Sequence, residues 1–185
     1  MENLTKNDIS IGKYGGLGLF LISLADIATF LTGAEERIAL VAYGQSLCFM
    51  VVFWYMRKLL SEKNISQFAD LSLVVAAILP CIFTIIDLSN PGQLTLSGDQ
   101  PISTGAGGLY FSISLAVVFL NSQGVLGNTF RYLCALAATV FFIFGATQNL
   151  FGVELPDTIQ ILGLVGYLSV VTGVGIGSFM AWNKK

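Results

Sequence analysis

The sequence predicts an all-α membrane protein of six transmembrane helices with both termini on the inner side, and three observations predict it. Apolar residues gather into six long blocks, at 12–32, 38–55, 71–88, 107–120, 132–150 and 159–181. Eight of the nine Lys and Arg residues fall on one side of the ladder that these blocks define. A chain of 185 residues that is 55% hydrophobic and 11% charged reads as one membrane domain, 1–185, with no room for a soluble catalytic module.

The blocks justify helices one at a time. A helix rises ~1.5 Å per residue, so most blocks cross a hydrocarbon core of about 30 Å, whereas a barrel strand would need half the length and a strict alternation that is absent. The first block, 12–32, follows a polar stretch, 1–10, without the basic region or small-residue cleavage site of a secretory signal, so this helix is expected to be retained. The second, 38–55, ends in Trp54-Tyr55 and runs into the basic residues Arg57, Lys58 and Lys63. The third, 71–88, carries Pro80 at its middle, which removes a backbone donor and predicts a kink. Asp87, at the end of that block, lies where a carboxylate can reach water.

Segment 89–106 contains Asn90-Pro91-Gly92, Ser97-Gly98-Asp99 and Pro101, turn chemistry without apolar periodicity, and reads as an outer loop between halves 12–88 and 107–181. The fourth block is short and must borrow flanking residues such as Ala106 and Asn121. The sixth is rich in glycine, and the small-xxx-small pair Gly173 and Gly177 predicts close packing on another helix. A phosphate cradle is excluded there, because these glycines sit in an apolar span with no adjoining lysine.

An N-terminus on the inner side places Lys6, Lys13, Arg57, Lys58, Lys63, Arg131, Lys184 and Lys185 together and leaves Arg37 alone outside. Tyr14, Trp54, Tyr55 and Trp182 then stand at inner helix ends, where amphipathic rings settle at headgroup depth. Gly15-Gly16-Leu17 followed by Ser23-Leu24-Ala25 recurs, one residue shorter, as Gly107-Gly108-Leu109 followed by Ser114-Leu115-Ala116. Three helices per unit would make this an inverted 3+3 repeat.

Composition also narrows the chemistry. A net charge of −2 and no basic stripe exclude nucleic acid as a partner. The absence of histidine removes the usual haem ligand, the commonest transition-metal ligand and the usual general base, so no metal, no cofactor and no enzymatic activity are expected. No lysine lies deep in a block to carry a retinal Schiff base. Cys48, Cys81 and Cys134, in separate helices without CxxC spacing, read as small apolar residues.

The sharpest chemical feature is Asp26, two-thirds of the way through the first block. A charge at that depth costs at least ~2.5–3.5 kcal/mol on insertion scales, so it is expected to be protonated, paired or facing a wet cavity. Ser23, Asp26, Thr29 and Gly33 share a helix face with Gly12, Gly16 and Leu19 nearby. That face suits a conduction or proton-coupling site; an aspartate that hydrogen-bonds a neighbouring helix is the structural alternative. Gln45, Ser46, Ser112, Ser114, Thr139, Thr147 and Thr172 read as interhelical hydrogen-bonding residues.

Taken together, these residues resemble the acetate uptake transporter family. That family opens with Asn-Pro-Ala-Pro-Leu-Gly-Leu; here the stretch is Asn7-Asp8-Ile9-Ser10-Ile11-Gly12-Lys13, in which Asn7 and Gly12 match and both prolines are missing. Leu21-Ile22-Ser23-Leu24-Ala25-Asp26 is similar to a family stretch with Asn in place of Asp26, and the basic loop after block two and the ending Ile161-Leu162-Gly163-Leu164-Val165-Gly166 are similar in place and character. Similarity to acid-activated urea and amide channels is weaker. The resemblance implies a hexamer of six-helix protomers in a bacterial inner (plasma) membrane, in contact with the lipid bilayer. Each protomer would pass acetate or another short monocarboxylate along its own path, with Asn7 and Gly12 at the cytoplasmic mouth and Asp26, Ser23 and Thr29 further along. Proton coupling through Asp26 is the expectation that its depth motivates. From a different class, the same six-helix plan suits a non-catalytic integral-membrane subunit that scaffolds or serves a larger membrane complex.

Overall fold

Thr5 and Asp8 start the first helix by capping each other. The Asp8 N–H donates to Thr5 Oγ1 (3.1 Å), while the Thr5 N–H (2.9 Å) and hydroxyl (2.8 Å) donate to Asp8 Oδ2. This is a capping box with aspartate in the usual glutamate place, and it holds otherwise unmet backbone donors of the first turn. The chain is therefore helical from Lys6, ahead of its first apolar block.

The computed structural model describes residues 4–32, 39–61, 64–89, 102–147 and 156–183. Within them the fold is all-α, and the order is α1 (Lys6–Leu31), α2 (Ala39–Ser61), α3 (Gln67–Ser89), α4 (Ile102–Asn121), α5 (Asn128–Val140), which continues as a π-helical stretch (Phe141–Thr147), and α6 (Asp157–Trp182). Helix α2 runs through Arg57 and Lys58, which the sequence had assigned to a loop. Helix α4 begins at Ile102, inside the expected loop 89–106; its 20 residues give about 30 Å of helix, so the short fourth block does borrow from its flanks. Among the described residues one helix stretch, Lys6–Ala28, is by itself long and apolar enough to cross a membrane; Gln67–Ile82, Leu109–Asn121, Asn128–Phe144 and Ser169–Trp182 are apolar but shorter.

Each helix packs on its neighbours in sequence, and α6 closes the circle on α1. The contacts make every neighbouring pair antiparallel: Gly15 meets Val51 and Gly18 meets Cys48 between α1 and α2, Arg57 meets Asp70 and Met50 meets Cys81 between α2 and α3. Ser114 donates to the Ser72 carbonyl between α3 and α4 (2.9 Å), and Ser112 to the Ala138 carbonyl between α4 and α5 (2.8 Å). Both serines act as the interhelical glue the sequence suggested.

The turns explain the short connections. Asn64, after α2, adopts φ 52° and donates its N–H to the Ser61 carbonyl at 3.3 Å, a left-handed position that asparagine tolerates. Ser66 caps α3 by accepting the Ala69 N–H at 3.2 Å. Between α4 and α5 the Val125 N–H reaches the Ser122 carbonyl at 3.0 Å, and Gly124 supplies the φ of 75° that the third position of this turn requires.

The α1–α6 seam is the closest approach in the ring. A methyl added to Gly16 would lie 2.6 Å from the Phe179 nitrogen, and one added to Gly175 would lie 2.5 Å from the Phe20 nitrogen. Gly177 instead receives the Phe130 ring of α5, and Gly173 has Leu133 at ordinary contact distance. Backbone meets backbone at Gly16 and Gly175; the pair singled out from spacing, Gly173 and Gly177, faces α5 side chains.

Apolar side chains fill the inside of the ring, with Ser23, Asp26, Gln45, Ser112, Ser114, Ser122 and Ser178 buried among them, and Leu21, Ile78, Ile85, Leu120, Leu136, Ile161 and Leu162 are exposed on its outside.

Candidate functional site

Asp26 and Ser23 occupy the inward face of α1, one turn apart, and Leu21 and Leu24 point outward. Ser23 is saturated by its own helix, donating to the Leu19 carbonyl at 2.7 Å. Asp26 is 5% exposed and its Oδ2 accepts the Gln45 amide of α2 at 3.0 Å. This contact is the hydrogen bond to a neighbouring helix that the structural alternative for Asp26 expects.

Gln45, Phe49 and Phe53 recur every four residues and share one face of α2. Directly below the polar pair, Phe49 therefore opens an aromatic cluster on the inside of the ring. Its ring centroid lies 4.6 Å from that of Phe111 (α4), and Phe111 lies 5.5 Å from Phe53 and 5.3 Å from Phe141. Tyr110 adds a further ring 4.6 Å from Phe111. The π-helical stretch contributes locally: its wider turn begins at Phe141, which is buried, while Phe142 and Ile143 face outward. Two helices, α2 and α4, and the π segment thus converge on an apolar, aromatic cluster one turn of α2 from Gln45.

The opposite end of the ring carries the charge. Lys58 Nζ lies 2.7 Å from Asp8 Oδ1, joining α2 to α1, and Arg57 grips Asp70 through Nε (2.5 Å) and Nη2 (2.9 Å), joining α2 to α3. Lys13 donates to Asn183 Oδ1 at 2.7 Å across the α1–α6 seam, and Arg131 of α5 donates to the Phe119 carbonyl of α4 through Nε (3.2 Å) and Nη2 (3.1 Å). Each cation also lies over an aromatic ring: Lys13 on Phe179, Arg57 on Trp54, Lys58 on Tyr55 and Arg131 on Phe119. These basic residues tie the helices together at this end. An open groove of about 370 Å³ lies here between α2 and α3, with Asn64, Gln67, Asp70 and Leu71 among its walls. Its carboxylate is the one held by Arg57.

Asp8 lies on the first turn of α1, ahead of the apolar block that begins at Gly12. The Lys58 ammonium, then the Thr5 backbone and side-chain donors, hold its carboxyl at about 2, below the usual 3.8. A depressed carboxyl contributes stability above 3.8 and loses it as pH falls toward about 2. Acid unfolding followed by circular dichroism should therefore show a loss within that window, and Asp8→Asn should remove it from the profile while leaving the rest unchanged.

The structure places the expected site residues in two separate regions. Asp26 and Ser23 lie together in the half of α1 away from Lys13, Arg57 and Lys58; Thr29 is on the next turn of α1, and its side chain, like Gly33, lies outside the described residues. Asn7 is exposed on the first turn, and Gly12 is buried at the charged end, about 21 Å along the helix from Asp26. Pro80 is buried within α3, which continues on both sides of it. The side chains of Asp87 and Thr147 lie outside the described residues.

Trp182 stands at the helix end, as the sequence expects, and packs inward there. It is fully buried, and its indole fills the space that Gly12 leaves: a Gly12 methyl would lie 2.4 Å from Cε2. Gln45, expected as an interhelical hydrogen-bonding residue and found as one, and the four phenylalanines, which the sequence reading did not name, complete the candidate site. The four-residue spacing of Gln45, Phe49 and Phe53 was the signal available for three of them. Phe111 and Phe141 carried none, because their convergence depends on helix packing and on the π turn. No protein-family model, curated protein or solved structure matches this chain.

Proposed function

We propose that the chain is a six-span membrane protein with both termini cytoplasmic, and that each protomer passes acetate or another short monocarboxylate through the inside of its ring. The observation that carries this reading is the enclosed Asp26–Gln45 pair, with Gln45 one turn of α2 from an aromatic closure, within a bundle whose exterior is apolar. The lipid bilayer would cover that exterior, and the charged end, with Lys13, Arg57, Lys58 and Arg131, would face the cytoplasm. The two halves, α1–α3 and α4–α6, would cross the membrane in opposite senses, as an inverted repeat requires. Cofactor, metal and catalytic chemistry have no part in this reading.

The closure discriminates by size and by dewetting, because the phenyl rings offer a permeating solute no hydrogen bond to replace its hydration. An ionised Asp26 repels a carboxylate. Passage therefore requires a proton on Asp26 or on the solute, and protonation of Asp26 couples the flux to pH. Labelled-acetate uptake into proteoliposomes, with protein-free liposomes as the background, is expected to rise as external pH falls. Asp26→Asn should flatten that dependence; an unchanged pH profile in this variant would discard the coupling. The same purified sample is expected to be a homo-oligomer, a hexamer if the family resemblance holds.

The filling of the ring by aromatic rings favours the second reading, a non-transporting subunit of a larger membrane complex. Absent acetate flux together with a partner retained at fixed stoichiometry through purification would select it.

A further inference from the structure

Two side chains on one face of α6 are buried without a hydrogen-bond partner among the described residues: Ser178 Oγ and, one turn on, Trp182 Nε1. Both residues are 0% exposed, and both stand at the charged end of the α1–α6 seam. A buried donor left unpaired costs the full loss of its hydration, and native structures hold few of them. The surroundings explain why the indole can lodge there without showing what its N–H is for. Gly12 gives it a slot, and Tyr55 meets it edge-on at a centroid distance of 6.2 Å.

We infer that Ser178 and Trp182 form a second station on the solute's route, at the cytoplasmic end, whose hydroxyl and indole N–H donate to carboxylate oxygens. In this structure the station is closed, with the ring pressed onto Gly12. The inference rests on the transport reading and adds a site to it. Trp182 is the last residue of α6, and opening the station requires the Lys13–Asn183 hydrogen bond just beyond it to break. Cations lie at the same end of the bundle: Lys13 of α1 over Phe179 of α6, and Lys58 of α2 over Tyr55, the ring that meets Trp182, while Asp8 is engaged by Lys58. This electrostatic setting favours an anion at the cytoplasmic end. Lifting the indole off Gly12 exposes the N–H and opens the seam in one motion. A trapped water is the other oxygen acceptor that could satisfy these donors, and it would neither compete with acetate nor need the ring to move.

The chain has two tryptophans, so Trp54→Phe leaves Trp182 as its sole tryptophan fluorophore. In that variant, purified whole in detergent, emission should be blue-shifted in sodium chloride. Sodium acetate at equal ionic strength should shift it to the red saturably, and acetamide should do so much less. Trp182→Phe, which keeps a ring over Gly12 but removes the N–H, should slow acetate flux by roughly tenfold, the worth of one hydrogen bond to a charged group. Acetate flux in the parent protein with no saturable change in Trp182 emission and parental flux in Trp182→Phe would assign the N–H to a trapped water and overturn the station, leaving the transport reading intact. A saturable emission change without any flux would keep the station and discard transport.

Discussion

Alanine at Gly16 or valine at Gly175 is expected to destabilise the protein by about 3 kcal/mol, the upper end of what overpacking costs. The reason is the identity of the atoms in the way. The Gly16 methyl would meet the Phe179 nitrogen at 2.6 Å and the Gly175 oxygen at 3.0 Å, and a Gly175 side chain would meet the Phe20 nitrogen at 2.5 Å and Cα at 2.9 Å. Side chains can rotate away from a new methyl; helix backbone cannot, so α1 and α6 must separate along the seam that closes the ring. Thermal unfolding of the detergent-solubilised protein measures the effect. Gly166→Ala, in the same helix α6 with nothing within 4 Å of the added atom, is the control. It is expected to be neutral or to stabilise by up to about 1 kcal/mol, the usual helical advantage of alanine over glycine. Equal losses in Gly16→Ala and Gly166→Ala would show that the seam is not closely packed.

Truncating the ring at the centre of the aromatic cluster should act on both stability and passage. Phe111 contacts Phe49, Phe53, Tyr110 and Phe141, with centroid distances from 4.6 to 5.5 Å. Phe111→Ala removes the member common to those contacts and leaves a cavity, for which about 3–5 kcal/mol is the typical cost of a buried Phe→Ala change. If the cluster is the closure of the path, the same variant should admit larger acids, so the ratio of butyrate to acetate uptake should rise. Phe111→Leu, which restores most of the apolar volume, should recover much of the stability and less of the selectivity. A destabilised Phe111→Ala protein with an unchanged uptake ratio would make the cluster a packing core alone.

The two variants differ in how visible their sites were beforehand. The glycines of the sixth block announced a close contact, but spacing singled out Gly173 and Gly177, whereas backbone approaches backbone at Gly175. A run with glycine at 173, 175 and 177 offers two faces of one helix, and the neighbour that occupies each is a tertiary matter. Asp26 stood out because a carboxylate is costly in an apolar block, and its inward face was readable from Ser23 and Gly16 beside it. Its partner was not, since Gln45 is one of several polar residues on α2 that could have met α1. The cap formed by Thr5 and Asp8 was legible as a short motif and was passed over because the apolar block starts only at Gly12. Trp182 illustrates the opposite case. Its position at a helix end suggested a ring at headgroup depth, and only the slot over Gly12, 170 residues away in the chain, buries it.

Sequence by itself determined the all-α class, the approximate helix boundaries and the chemical difference between the two ends. These follow from local quantities: apolar run length, turn residues and the count of Lys and Arg on each side. Tertiary structure alone decided the closure of α6 on α1, the pairing of Asp26 with Gln45, the convergence of Phe49, Phe53, Phe111 and Phe141, and the burial of Trp182. Each of these depends on the register of helices distant in the chain. In a bundle whose exterior is as apolar as its core, hydrophobic periodicity specifies helix rotation only weakly, so the small residues, hydrogen bonds and ring shapes at the seams set it instead.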